Sequence, residues 1–284
     1  MNIPSVFRRR QSPPREVRAI ENLDFVIRES AEAYQGKAKD FLSSHALAEF
    51  KRNPLLFHKR QLGLVPDEDR PAYLFGRAAH TLILEGRETF TAGFAVGGPT
   101  NPQTGNPYGP TTKAFQEWAA QQGRPVLDVE QAALIETLAE SVRAQENAAH
   151  LLRHGVPEAV IRTTYRSVPC QARLDWLNPT DGIVDLKTCD TLDLFEYDVN
   201  AYGYSYQLAF YRALLAEFVG GNVPVFLIAV EKKEPNRTGV WRYEPEILDK
   251  AQRENDRAID RFRSCRETGN WPSGFEEVRV LSHL

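Results

Sequence analysis

Cysteine is scarce in this chain, methionine scarcer, and no stretch of it is apolar for long. The 284 residues hold three cysteines, Cys170, Cys189 and Cys265, far apart and with no C-x-x-C pair. That spacing excludes a zinc ribbon or a four-cysteine iron–sulfur site and predicts a reducing, cytoplasmic setting. The longest greasy run, Val223 to Val230, carries Pro224 and has strand length, well short of the roughly 18 to 20 residues that a membrane helix needs. The opening stretch MNIPSVFRRRQSPPREVR is basic but has no apolar segment behind its arginines, so no secretory signal is expected. An excess of positive charge is lacking too: 35 Lys and Arg face 38 Asp and Glu, a net charge of −3. No global field recruits polyanions, and any nucleic acid must be held by local clusters or metal ions. No G-x-x-x-x-G-K-[ST] occurs, so no nucleotide-driven motor is built in. What is present, 42% hydrophobic residues in a chain of this length, suffices for a core without disulfides or structural metal.

Residues 1 to about 38 are rich in Arg, Glu, Pro and small residues without a sustained apolar period, and read as a partly ordered basic arm; residues 39–284 read as one domain. From Phe41, FLSSHALAEFKRNP predicts a helix capped by Ser43 or Ser44, with Leu47 and Phe50 on one face and a stop before Pro54. A second helix is expected over Pro71 to Glu85, with Phe75, Ala78, Ala79, Leu82 and Ile83 as its buried stripe and Gly76 letting it approach a sheet closely. The Gly- and Pro-dense segment from Gly97 to Pro110 predicts a surface loop. Helices follow near Thr112 to Gln122 and Asp128 to Leu152. Short β-branched or aromatic segments then predict strands at Ala159–Tyr165, Cys170–Leu177, Gly182–Leu186, Val223–Val230 and Val240–Tyr243. Helices are expected over Asn200–Phe218 and Glu246–Arg266. The order implies an α/β or α+β fold: a mixed sheet covered by the late helices, with an N-terminal helical layer alongside.

The most informative segment is CQARLDWLNPTDGIVDLKT, residues 170–188, two apolar strands joined by Asn178, Pro179, Asp181 and Gly182. Asp175 lies on the first strand and Asp185 on the second; Lys187, two residues on, shares a sheet face with Asp185 because side chains alternate with period 2. Two acids and an amine that converge suit phosphodiester hydrolysis, in which carboxylates hold Mg²⁺ and a lysine serves the attacking water. D-x-K is a common triplet. Its setting among Ile183, Val184 and Leu186 is what singles it out, since unpaired charges in a packed sheet are costly.

The chain resembles the RecE-type (exonuclease VIII-like) branch of the PD-(D/E)XK nucleases, the phage and prophage recombination exonucleases. The resemblance runs from about Tyr34 to Trp271 and rests on FLSSHALAEFKRNPLLFH, FGRAAHTLILEG, GVPEAVIRTTYRSVPCQARLDWL, GIVDLKT, YSYQLAFYRAL and CRETGNWP, in that order. Leu174 stands where the family name has proline, a position that ligates nothing. The resemblance implies that His80, Asp175, Asp185 and Leu186 form the metal site, with Mg²⁺ as the ion and Mn²⁺ able to replace it. It implies that Lys187 serves the nucleophile and that Glu158 assists; beside Pro157, Glu158 reads equally well as a solvent-facing strand start. Gln207 and Tyr211, i and i+4 on one helix, match a Q-x-x-x-Y signature bordering such sites, although Tyr204, Leu208, Tyr211 and Leu215 also make an ordinary core stripe. Candidate DNA contacts are Lys51, Arg52, Lys59, Arg60, Arg77, Lys113 and Arg173, with a helix start at Ser43 and Ser44 as a phosphate cradle. As a whole the resemblance implies a metal-dependent, ATP-independent exonuclease. It would digest linear double-stranded DNA 5′→3′, assemble as a homo-oligomeric ring and work beside a RecT-like single-strand annealing protein. A structure-specific endonuclease of the same fold and a DNA-binding module without turnover are the alternatives.

Overall fold

The β-branched and aromatic segments pair into a five-stranded sheet. In the computed structural model, which describes residues 19–66 and 72–280, the strands are β3 (Val156–Tyr165), β4 (Val168–Asn178), β5 (Gly182–Cys189), β6 (Val225–Glu231) and β7 (Thr238–Arg242), in spatial order 3-4-5-6-7. β5 and β6 run parallel and every other pair is antiparallel. A parallel pair needs a crossover, and α9 (Phe195–Ala201) and α10 (Tyr204–Val219) supply it. A small parallel pair, β1 (Ala95–Val96) with β2 (Val126–Leu127), stands apart from the main sheet. The α+β class with a mixed, helix-covered sheet is as expected.

The turn between β4 and β5 follows from its residues. Asn178 Oδ1 accepts the N–H groups of Thr180 and Asp181 at 2.9 and 3.0 Å, an Asx turn. Gly182 has φ +100°, and a Cβ there would lie 2.3 Å from the Pro224 carbonyl oxygen, so no other residue fits.

Helices cover both faces. On one lie α2 (Ser44–Arg52), α3 (Pro54–Gln61), α10 and α11 (Pro245–Thr268), closing over Ile161, Leu174, Leu177, Ile183 and Leu227. On the other lie α4 (Ala72–His80), α7 (Val129–Ala144) and α8 (Glu146–Leu151), closing over Trp176, Val184, Leu186 and Ile228. The N-terminal helical layer is therefore divided between the two faces. Smaller helices α5 (Arg87–Gly93) and α6 (Lys113–Gln122) flank β1 and β2. Among the described residues, no helix is long and apolar enough to cross a membrane.

Several boundaries differ from expectation for identifiable reasons. Pro54 does not end the helical run: Asn53 caps α2 and its Oδ1 accepts the Leu56 N–H, so Pro54 opens α3 at a position where its missing donor costs nothing. The helix expected over 128–152 breaks at Gln145, whose side chain caps α8, and Gly203 in the left-handed region separates α9 from α10. The helix expected over Pro71–Glu85 is α4 followed by a π-helical turn, Thr81–Glu85; Pro71 lies outside the described residues. Gly76 does not mediate close packing, because a Cβ there would meet nothing within 4 Å. The fully buried Ala78 and Ala79 pack with Ile135 and Ala139 of α7. Of the expected arm, residues 19–38 carry a short helix, α1 (Ala31–Gly36). They also bridge to the sheet through Ile27 and Val160, and Glu29 pairs with Arg162.

A buried acid fixes the β6–β7 connection. Glu231 is 1% exposed. Its carboxylate accepts the Leu192 N–H at 3.0 Å and the Arg237 Nε at 2.7 Å. The Arg237 guanidinium holds its pKa down to about 2. A lowered folded pKa means that the pair's stabilisation is complete above the ordinary glutamate range and fades as pH falls from about 4.5 towards 2. Glu231→Gln should cost about 2 to 3 kcal/mol at pH 7, the low end for a buried pair because Arg237 is half exposed. Urea melts at pH 7 and pH 3 should show the gap to the parent shrinking in acid; an equal gap at both would assign the loss to packing.

Candidate metal centre

Strand pairing itself opens the site. β4 and β5 are in register only at Trp176–Val184, Leu177–Ile183 and Asn178–Gly182. Beyond Trp176 the ladder stops, and Asp175 turns its carboxylate toward β5, where Oδ2 accepts the Leu186 N–H at 2.9 Å. On the other side of β4, the register passes from Pro157–Trp176 to Ala159–Leu174, leaving Glu158 beside Asp175 outside the ladder. Glu158 has φ +51°, a strained conformation for a residue with a side chain and one that clusters at functional sites. His80 closes the group from the other layer, at the residue where α4 changes to the π-turn, a local helix widening often found at functional positions.

His80, Glu158 and Asp175 each offer a ligand atom, and these atoms lie within 4.8 Å of one another. His80 Nδ1 is 3.5 Å from Asp175 Oδ2. Burial pulls the His80 imidazole down to about 4, with Lys187 adding to the effect, so the ring is neutral and its lone pair free to bind a cation. Burial raises Glu158 to about 8, reinforced by Asp175 and opposed by Arg173, whose Nε lies 2.6 Å from Oε2. Burial also raises Asp175.

Asp185, 1% exposed, is not part of this cluster. Its Oδ2 lies 2.6 Å from Lys187 Nζ, while Oδ1 is buried without a hydrogen-bond partner. Burial lifts Asp185 to about 6 against the pull of Lys187. Burial alone would lower Lys187, but Asp185 and Asp175 reverse that and hold its charge firmly. One buried carboxyl group, Asp185, and two partly buried ones, Glu158 and Asp175, thus lie close to Lys187 and Arg173. That orphaned oxygen, a neutral imidazole and carboxylates are a donor set that fits a hard or borderline divalent cation such as Mg²⁺ or Mn²⁺. Leu186 contributes its backbone N–H to Asp175.

The other expected residues fall into two groups. Ser44, Gln207 and Tyr211 meet: Ser44 Oγ donates to the Tyr211 hydroxyl at 3.5 Å, and Gln207 Nε2 donates to it at 3.0 Å. Tyr211 is buried, in keeping with the core stripe. Arg173 is in the centre through Glu158. Elsewhere, Lys113 pairs with Glu117 within α6, Arg60 pairs with Glu49 and Lys51 lies over the Tyr206 ring at 3.6 Å. Arg52, Lys59 and Arg77 are at least partly exposed on their helices. Sequence reasoning missed His45, which follows Ser44 and is electrostatically coupled to Lys187 and Asp185. It also gave Tyr204 no role beyond the core, although Lys187 Nζ lies 4.7 Å from that ring.

Residues 43–283 match the family model described as a PDDEXK-like domain of unknown function, DUF3799. The chain belongs to this family. The match spans both sheet faces and every residue of the centre. No curated protein matches the chain. Among solved structures, one from Eubacterium rectale, described as a "putative exonuclease", superposes with a TM-score of 0.62 at 16% identity, over 91% of this chain and 96% of that one. At that identity the likeness concerns the fold. The PDDEXK-like family together with the His80–Glu158–Asp175 cluster points to a metal-dependent nuclease.

Proposed function

We propose that this DUF3799 protein is a Mg²⁺-dependent exonuclease that digests one strand of linear duplex DNA from its 5′ end without ATP. The observation that carries the reading is the convergence of His80, Glu158 and Asp175 beside the ion pair of buried Asp185 with Lys187. His80 and Asp175 would hold the ion, with Glu158 and the free Oδ1 of Asp185 completing its oxygen shell. Once bound, a divalent ion polarises a phosphate and makes hydroxide available near neutral pH. Lys187 places a fixed positive charge next to that shell, where it orients water and offsets negative charge that grows on the phosphate. Arg173 keeps Glu158 near Asp175. The direction of digestion, a RecT-like partner and a ring of copies rest on the RecE-type resemblance in the sequence.

Activity should appear with Mg²⁺ or Mn²⁺, vanish in excess EDTA, and weaken with salt as phosphate contacts are screened. Linear duplex labelled at either 5′ end should release label, and covalently closed circles should survive. Cleavage of circles at the linear rate would replace the exonuclease reading with an endonuclease, and full activity in EDTA would end the metal-dependent one.

A further inference from the structure

Immediately past Lys187 the structure holds a cavity of about 290 Å³ that the metal centre does not use, at the small end of the roughly 300–1,000 Å³ usual for small-molecule sites. It opens at the C-terminal end of β5. Thr188, Cys189 and Asp190 line one side, Phe195 and Asp198 of α9 a second, and Tyr202 and Tyr204 a third, with Lys232 at its rim. The two tyrosine rings are 5.8 Å apart and inclined by 31°. Tyr204 touches Lys187 with its face, and Tyr202 is 68% exposed. An aromatic surface thus runs without interruption from the candidate catalytic lysine into the cavity.

The polar groups show which part of a nucleotide would fit. Lys232 is already paired with Asp190 at 2.7 Å, so the rim offers no free cation for a phosphate. The Asp198 carboxylate has no hydrogen-bond or ion-pair partner among the described residues, its backbone carbonyl alone accepting the Tyr202 N–H. This carboxylate repels phosphate, and its oxygens, together with the acceptor lone pairs of the Thr188 hydroxyl, suit the exocyclic amino groups that adenine, cytosine and guanine carry. An exposed tyrosine face at Tyr202, beside acceptors and away from free cations, suits a neutral, flat, amine-bearing ring.

We propose that this cavity receives one unpaired nucleobase of the DNA strand whose phosphate lies at Lys187, with the base stacked on Tyr202. The inference rests on the nuclease reading above, because that reading brings a DNA strand to Lys187. An exonuclease acting on duplex must separate the end base pair, and a stacking surface next to the chemistry repays part of the unpairing.

The test uses the full chain in Ca²⁺ and single strands with 2-aminopurine as the 5′-terminal base. The parent should quench the fluorophore on binding, Tyr202→Phe should do so equally, and Tyr202→Ala should bind about tenfold more weakly and quench little. Tyr202 is largely exposed, so the alanine variant should melt as the parent does, and Asp198→Asn checks the polar side by narrowing the preference for amine-bearing bases over thymine. With Mg²⁺ and duplex, an abasic 5′ end should cost the parent about tenfold in kcat/KM, and Tyr202→Ala about tenfold on intact ends. The two together should cost no more than either, because each removes the same contact. Parent-like quenching by Tyr202→Ala, or losses that multiply, would overturn the proposal. If the parent quenches, the variant does not, and neither cuts DNA, the base site stands and the nuclease reading falls. Cutting without quenching would leave the nuclease and remove the base site.

Discussion

Lys187→Ala protein is expected to lose turnover on linear duplex by a factor on the order of 10² or more, with little change in metal or DNA affinity. The lysine charge adjoins the centre without being a ligand, so its effect should be largest where charge builds on the phosphate. A structural complication comes from the same pair. Asp185 is buried beside Lys187 at 2.6 Å, and removing one partner of a buried pair commonly costs about 3 to 5 kcal/mol. Asp185 already sits high at about 6 through burial, so it can take up a proton and soften that loss. Thermal unfolding should therefore show a measurable destabilisation in Lys187→Ala. The double variant Lys187→Ala/Asp185→Asn should regain much of the stability and none of the turnover, which separates chemistry from folding. A folded Lys187→Ala protein that cuts at near the parent rate would make the lysine structural and remove the D-x-K strand from the mechanism.

Asp175→Ala should abolish both metal binding and turnover, each by at least about 10²-fold. Asp175 is the hub of the cluster. It faces His80 at 3.5 Å, lies beside Glu158 and is itself oriented by the Leu186 N–H. Asp185→Ala should also depress both quantities, but less steeply in affinity, since only one oxygen of Asp185 is free and the other faces Lys187. Titration calorimetry with Mn²⁺ on the three proteins gives the order directly. Parent-like Mn²⁺ affinity in Asp175→Ala would show that the cluster is not the metal centre, and equal losses in the two variants would place Asp185 fully among the ligands. His80→Ala should fall between them, because an imidazole kept neutral by burial is a good ligand but one of several.

Much of the fold was legible because its signals are local. Short β-branched or aromatic segments bounded by turn formers located all five main strands, and Asn178 with Gly182 fixed the β4–β5 turn through side chain–backbone bonding and a positive φ. Helix interruptions were less legible. Gln145, Asn53 and Gly203 each divide a run whose apolar period continues across the break, and periodicity alone does not register a cap inside a continuous stripe. The role given to Gly76 failed for a related reason: a small residue permits a close approach, but the neighbouring chain decides whether it occurs.

The sequence by itself determined the D…D-x-K hairpin: strand alternation puts Asp185 and Lys187 on one face, and a two-strand turn brings Asp175 near them. Only the tertiary structure decided which of these acids joins His80 and Glu158. That depends on where the β4–β5 ladder ends, on the turned-out backbone at Glu158 and on a π-turn that closes α4 at His80. The π-turn at His80 lies more than seventy residues before the two strand features in the chain. Their meeting is set by packing of the helical layer on the sheet, which no local pattern encodes.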